Sequence, residues 1–503
     1  MTLRRNLPDL LSLTAAVALS RYLFRSHVLY DLDSVNFALA MKRFDPGVFQ
    51  AHPPGYYLYA RIGRLIDLVF HNPNLSLVVL SVLASCALVI LIYQFAFEWF
   101  GRPSARFASL LFLFSPLGWF HGTVALTYIV GAFCSALFGY LCWRLYSGQQ
   151  AFLVPAGVAL GFAAGIRPSE LLFLAPLYLF SMGRPNLKRL LLASTVLLIT
   201  ILAWFVPMIL ASGGLKPYFG ALFALWKMVP GKKTVFNSSP AYTVARAFTI
   251  LFIYLLTFGA AAFAPIAEKI RTSQVDARKI RFTLVWIIPA LCFFTFIYLV
   301  FINSGYLLLL IAPGCLWLGF WAAEWYANAR LRKPLKLAII VACAAVNALI
   351  FLEAPLYCSY RSVVKFQAEL RNIQTTIPRF GPQSSTLIVS FDSHFLGFRH
   401  AGYYLPQYHV LEYPEVNMGH GIQAFTMYGR DTRLVSRLPG PYQRFVIYPL
   451  PAQGKQFNVY LAKVIAKLPA RNIQITKLDG HTYVSGPVSD LPFLFPKLGP
   501  APK

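Results

Sequence analysis

The stretch YDLDSVNFALAMKRFDPGVFQAHPPGYYLYA, Tyr30 to Ala60, follows the first long apolar run of the chain and holds two aspartates, a histidine and a Pro-Pro-Gly turn. Carboxylates in so apolar a setting need a physical reason, and the sequence on either side supplies the frame for one. The chain has 503 residues, of which 57% are apolar, and its mean hydropathy is +0.59. The apolar residues gather in runs too long for the helices of a soluble core, so the chain reads as a polytopic α-helical membrane protein.

Candidate spans fall at residues 7–24, 75–96, 105–120, 123–143, 151–166, 169–183, 189–211, 242–266, 282–302, 305–326 and 336–354, about 11 transmembrane helices. The fifth and sixth are short and meet at Gly165-Ile166-Arg167-Pro168. Basic residues mark alternate loops: Arg4 and Arg5; Arg102 and Arg106; Arg144; Arg184, Lys188 and Arg189; the run from Lys269 to Arg281; and Arg330, Arg332, Lys333 and Lys336. Positive-inside bias then puts the N-terminus in the cytoplasm. With an odd number of spans, the first loop (25–74) and the C-terminal segment lie outside. A net charge of +27 is thereby accounted for by topology and snorkelling, and nucleic acid is not an expected partner. Arg21 directly after the first apolar centre, with no small-residue cleavage pattern, favours an uncleaved first helix. Six of the seven cysteines lie in or beside the spans and only Cys358 belongs to the outer segment, so neither a disulfide framework nor a Cys-x-x-Cys metal site is expected.

Two domains follow: a transmembrane region, 1–354, which includes the loop 25–74, and an extracytoplasmic α/β domain, 355–503. In the latter TLIVSF (386–391), YHVLEY (408–413) and RFVIYPL (444–450) read as buried strands. HFLGFRHAGYY and VYLAKVIAKL read as helices, and NIQITKLDGHTYVSG as a hairpin turning at Asp479-Gly480. In the opening stretch, Asp33 stands near the start of a short helix, where a carboxylate is favoured. A second helix follows Pro53-Pro54, with Arg61, Arg64 and Asp67 on one face; both are expected to lie on the membrane surface.

At this point the sequence resembles a family. YDLDSVNFALA, HPPGYYLYA, the helix pair GFAAGIRPSELLFLAPL and a late NSGYLLLLIAPG are similar to the membrane-embedded GT-C glycosyltransferases, in particular the bacterial relatives of protein O-mannosyltransferases and aminoarabinose transferases. The resemblance covers roughly residues 1–350 and is specific in the arrangement of its motifs. It implies an inverting hexosyl- or pentosyltransferase in the inner membrane of a bacterium. The partners it implies are a polyprenyl-phosphate sugar donor and an acceptor in protein, lipid or polysaccharide. A transporter or flippase of lipid-linked saccharide, or an envelope assembly protein, is the alternative, although no repeated pair of broken helices of the transporter kind is visible.

An inverting transfer needs a carboxylate to take the proton of the attacking acceptor. Asp33 sits where the family places that acid, with Asp31 the substitute and a helix cap the reading without chemistry. Ser34 replaces the second acid common in the family, which leaves a divalent metal without support; no cofactor and no metal site are expected. His52, before Pro53-Pro54-Gly55, is a candidate for contact with donor phosphate or acceptor, or else belongs to a plain turn. Arg167, expensive in lipid, either grips the carrier phosphate or pairs with Glu170 one turn on. Tyr306 follows Gly305 where relatives often carry a basic residue, and Lys232 and Lys233 are candidates to compensate. In the outer segment Asp392-Ser393-His394 reads as a strand-to-helix cap, and Arg399, His400, Tyr403 and Tyr404 as groups able to touch sugar.

Overall fold

A computed structural model describes residues 2–228, 234–263, 276–301, 303–328, 330–391, 393–417, 421–448 and 461–500. The chain divides into two compact units, one built from Met1–Ser26, Pro54–Leu210 and Leu225–Ser362, the other from His27–Pro53, Ala211–Ala224 and Val363–Lys503. Most of the Tyr30–Ala60 stretch, from Tyr30 to Pro53, thus folds with the C-terminal segment.

The first unit is a helical bundle. Among the described residues seven helical segments are long and apolar enough to cross a membrane: Pro73–Phe100, Tyr128–Tyr146, Leu187–Ala211, Pro240–Phe263, Ala277–Phe296, Ser304–Asn328 and Lys333–Glu353. Two shorter apolar segments, Gln150–Ile166 and Ser169–Ser181, lie between them. The chain is an integral membrane protein, and the expected count of eleven spans is not confirmed among the described residues. The span expected at 105–120 is broken into the helices Arg102–Leu113 and Pro116–His121, because Pro116 has no N–H to continue the ladder. The first helix, Thr2–Leu23, carries Asp9 and Arg21, and both charges are used. Asp9 accepts from Tyr93, Arg102 and Arg106. The fully buried Arg21 donates to the carbonyls of Phe112 and Leu113, the end of a helix whose last carbonyls lack intrahelical donors. Arg102–Leu113 and Ile311–Asn328 approach so closely that a Cβ on Gly319 would stand 2.6 Å from the backbone nitrogen of Ala108, the small-residue contact typical of helices packed in lipid.

The second unit is a mixed sheet with flanking helices. Its strands are β1 (Thr386–Phe391), β2 (His409–Tyr413), β3 (Val416–Asn417), β4 (Ile422–Tyr428), β5 (Asp431–Val435), β6 (Arg444–Ile447), β7 (Gln474–Leu478) and β8 (His481–Pro487). They run in the order β3-β4-β2-β1-β6-β8-β7, with β5 paired to β4. β1 is parallel to both neighbours, β2 and β6, and every residue in it is buried, as a central parallel strand covered on both faces requires. β7 and β8 form the expected hairpin, with Leu478 opposite His481 and positive φ at Asp479 and Gly480. The hairpin β4–β5 was not anticipated; its turn is Gly429-Arg430, again with positive φ at both positions.

In the same unit Leu32–Lys42 forms the expected helix, yet it does not lie on a membrane surface. All residues from Ser34 to Met41 are buried, because the helix packs against Phe398–Tyr404 of the C-terminal segment. The helix after the prolines, Tyr57–Phe70, does keep an exposed apolar edge at Leu65, Leu68 and Val69.

Candidate active site

The two aspartates of the opening stretch have different duties. Asp31 is the N-cap of the helix Leu32–Lys42 and accepts the Asp33 N–H at 2.7 Å, the use of a short side chain that satisfies one orphan donor of a helix start. It is 3% exposed, and its second oxygen faces His394 Nδ1 at 3.7 Å. Asp33 lies in the first turn with 18% of its side chain exposed, and its Oδ1 is 3.3 Å from His52 Nδ1. Two candidate residues are therefore brought together: a partly accessible carboxylate and an imidazole held after the Asp45–Gln50 bridge. Such a carboxylate can accept a proton, and the imidazole beside it can steady the charge or pass the proton on.

The outer-segment residues singled out for sugar contact are structural. Arg399, His400 and Tyr403 are buried, and the Tyr404 hydroxyl accepts the Leu29 N–H at 2.7 Å. Burial pushes His400 down to about 4, with the Asp31 carboxylate opposing the shift. Asp392 lies outside the described residues; Ser393 accepts the Phe395 N–H as a local cap.

In the helical unit Arg167 ends the helix Leu153–Ile166 in an extended conformation imposed by Pro168. It is 7% exposed. Its guanidinium carbon lies 4.4 Å from the ring centre of Tyr128, 5.5 Å from Tyr306 and 6.0 Å from Tyr56. Its one side-chain hydrogen bond among the described residues goes to Thr127 Oγ1 at 3.3 Å. Glu170 is buried beside it, but no ion pair within 4.0 Å joins the two, so the alternative of an internal Arg167–Glu170 pair is not formed. Glu170, Arg167, Tyr128 and Tyr306 instead line one small pocket. Gly305, at the position where relatives often carry a basic residue, has a spatial role: a Cβ there would stand 2.3 Å from the Tyr128 ring. Tyr128 is further tied to the Asn303 side chain. Tyr306 thus joins Arg167 as a ring stacked on the cation. Tyr56 and Tyr128 were missed, although Tyr56 stands inside the HPPGYY motif. Lys232 and Lys233 lie outside the described residues. Among those residues no three His, Cys, Asp or Glu side chains come together in a way that would hold a metal ion.

An arginine in a tyrosine cage and a carboxylate–imidazole pair can be set beside known proteins. Residues 51–210 match the dolichyl-phosphate-mannose-protein mannosyltransferase family. ArnT from Cupriavidus metallidurans bound to undecaprenyl phosphate aligns at 14% identity with a TM-score of 0.56, over 95% of this chain and 97% of that one. The apo state of the same protein aligns at 11% identity and 0.55, over 96% and 98%. The fold is that of the GT-C glycosyltransferases. The apo oligosaccharyltransferase of Archaeoglobus fulgidus aligns at 13% identity and a TM-score of 0.48, over 79% of this chain and 64% of that one. No protein of curated function matches the chain by sequence. The region that matches the mannosyltransferase family includes His52, Tyr56, Tyr128, Arg167 and Glu170, whereas Asp31 and Asp33 precede it.

Proposed function

We propose that the protein is an inverting glycosyltransferase that moves a sugar from a polyprenyl-phosphate carrier to an acceptor hydroxyl or amine on the outer face of the membrane. The observation that carries this reading is the accessible Asp33 carboxylate 3.3 Å from His52, in a chain with a GT-C fold. Asp33 takes the acceptor proton as the acceptor oxygen or nitrogen forms its bond to the anomeric carbon. The bond from that carbon to the phosphate oxygen breaks, its electrons stay on the carrier phosphate, and the configuration inverts. Within the helical unit, Arg167 is the group that suits a carrier phosphate: among the described residues its one side-chain hydrogen bond goes to Thr127, and a planar fork suits phosphate oxygens. ArnT binds undecaprenyl phosphate, a carrier of the same chemistry. The reading needs no bound metal, since Ser34 stands in the place of a second acid, one oxygen of Asp31 caps the helix start and the other faces His394 at 3.7 Å. It places the N-terminus in the cytoplasm and Asp33 outside, in a bacterial inner membrane.

Asp33→Asn tests the assignment. In protein reconstituted into nanodiscs with a polyprenyl-phosphate sugar, turnover should fall by about two to four orders of magnitude, the usual weight of a positioned base, while carrier binding is kept. Near wild-type transfer by the folded variant would sink the assignment.

A further inference from the structure

Asp33 and His52 belong to one segment, and the chain between them is held by the C-terminal segment of the same unit. Arg43 follows the helix that bears Asp33. Its guanidinium donates to the Thr432 carbonyl at 2.6 Å and pairs with Asp431 at 3.1 Å. At the other end Gln50, two residues before His52, accepts the Thr432 N–H at 3.2 Å and donates to the Arg43 carbonyl at 3.2 Å. Between these points Arg399 donates through one nitrogen to the Val48 carbonyl and through the other to Thr432 Oγ1, each at 3.0 Å. Phe49 packs its ring 5.5 Å from Phe425, which also lies 5.4 Å under the Arg399 guanidinium. Gln50, Thr432 and Arg399 are all buried. The hairpin β4–β5 therefore grips the 43–50 connection at both ends, and Arg399 grips its middle.

We propose that Arg399, together with Thr432 of the β4–β5 hairpin, forms a clamp that positions His52 against Asp33, so that the C-terminal domain sets the geometry of the base. The proposal rests on the glycosyltransferase reading for its kinetic consequence, though not for its structural one. None of the clamp residues touches Asp33 or His52 in the contacts above; they are positioning residues. Their effect arises because the eight residues 43–50 carry the chain from the Asp33 helix to His52, whose ring also lies 6.1 Å from Phe37 of that helix, so the separation of the pair depends on the conformation of 43–50. A shift of about 1 Å at a catalytic group costs on the order of a hundredfold in rate.

The test compares Arg399→Ala, Gln50→Ala and Gln50→Glu in the full-length protein in nanodiscs, with thermal melting to confirm folding. Gln50→Glu retains an acceptor for the Thr432 N–H. The expected result is a kcat about 10- to 100-fold lower for both alanine variants with an almost unchanged KM for the donor. Gln50→Glu, which keeps the acceptor for the Thr432 N–H but loses the donor to the Arg43 carbonyl, should recover only part of the loss, and the pH profile of kcat should shift in the alanine variants. A second readout needs no turnover: the His52 imidazole resonance in histidine-labelled protein, identified by its loss in His52→Gln, should move in Arg399→Ala. Folded alanine variants with wild-type kcat and an unmoved His52 resonance would overturn the clamp. A wild-type protein that transfers no carrier-linked sugar while the resonance still moves would remove the transferase reading and leave the clamp standing.

Discussion

Replacing Arg167 by lysine keeps the charge and removes the shape. The guanidinium lies near the rings of Tyr128, Tyr306 and Tyr56, with the nearest ring centre at 4.4 Å, and among the described residues its one side-chain hydrogen bond goes to Thr127. Its position therefore comes from stacking, which leaves the edge of the plane for a ligand. An ammonium has no plane to stack and no two-point fork; it can offer phosphate a single contact. Losing one charge-assisted hydrogen bond should weaken binding of a polyprenyl phosphate by about 1.5 to 3 kcal/mol, roughly ten- to a hundredfold in affinity. Direct titration of the carrier into Arg167→Lys protein in nanodiscs measures this, with Arg167→Gln as the limit in which the charge is also gone. If both variants bind the carrier as the wild type does, Arg167 is a structural cation and the phosphate assignment is refuted.

Other outcomes follow from single contacts. Gly305→Ala, whose Cβ would stand 2.3 Å from Tyr128, should displace that ring from Arg167 and weaken carrier binding, read in the same titration; an unchanged affinity would show that the ring is dispensable. His400 is held near 4 by burial, against about 6.5 in the unfolded chain. Its contribution to stability is thus fully present above pH 6.5 and is lost as pH falls towards 4, by about 3 kcal/mol at most. The melting temperature of the C-terminal domain should fall over that window, and His400→Gln should flatten the fall; an equal slope in the variant would refute the cause. Single cysteines at Lys42 and Arg433, in protein stripped of native thiols, should react with an impermeant reagent on intact cells, and one at Arg332 should not; the reverse pattern would invert the topology.

The parts of the fold that were legible in the sequence are those set by local pattern. β1 could be read because a fully buried strand is a continuous apolar run, and the β7–β8 hairpin because Asp-Gly accepts positive φ at both turn positions. The β4–β5 hairpin escaped notice because its turn, Gly429-Arg430, places a non-glycine residue at positive φ, which turn statistics do not favour. The span at 105–120 was overextended because hydropathy averages across Pro116. The helix Leu32–Lys42 was placed on the membrane because what covers it, Phe398–Tyr404, arrives from more than 350 residues away in sequence.

The same distinction governs the site. Asp31 and Asp33 are two residues apart, and residue type alone leaves their roles interchangeable. What separates them is which carboxylate folds back on its own backbone: Asp31 spends an oxygen on the Asp33 N–H and is sealed, whereas Asp33, one step into the helix, points its oxygen at His52. Arg167 and Glu170 present the reverse case, since their spacing suggests a pair that the structure does not make. Gly131, on the neighbouring helix Tyr128–Tyr146, is part of the reason there is room for both. A Cβ there would stand 2.2 Å from Glu170 Oε1 and 3.1 Å from Arg167 Cδ, so the two side chains occupy the space that a larger residue would close. Among the described residues Arg167 sits over tyrosine rings with a single side-chain hydrogen bond, to Thr127, and in a membrane protein a buried arginine so sparsely paired is costly unless an anion completes it. That cost is the physical argument for a phosphate at Arg167.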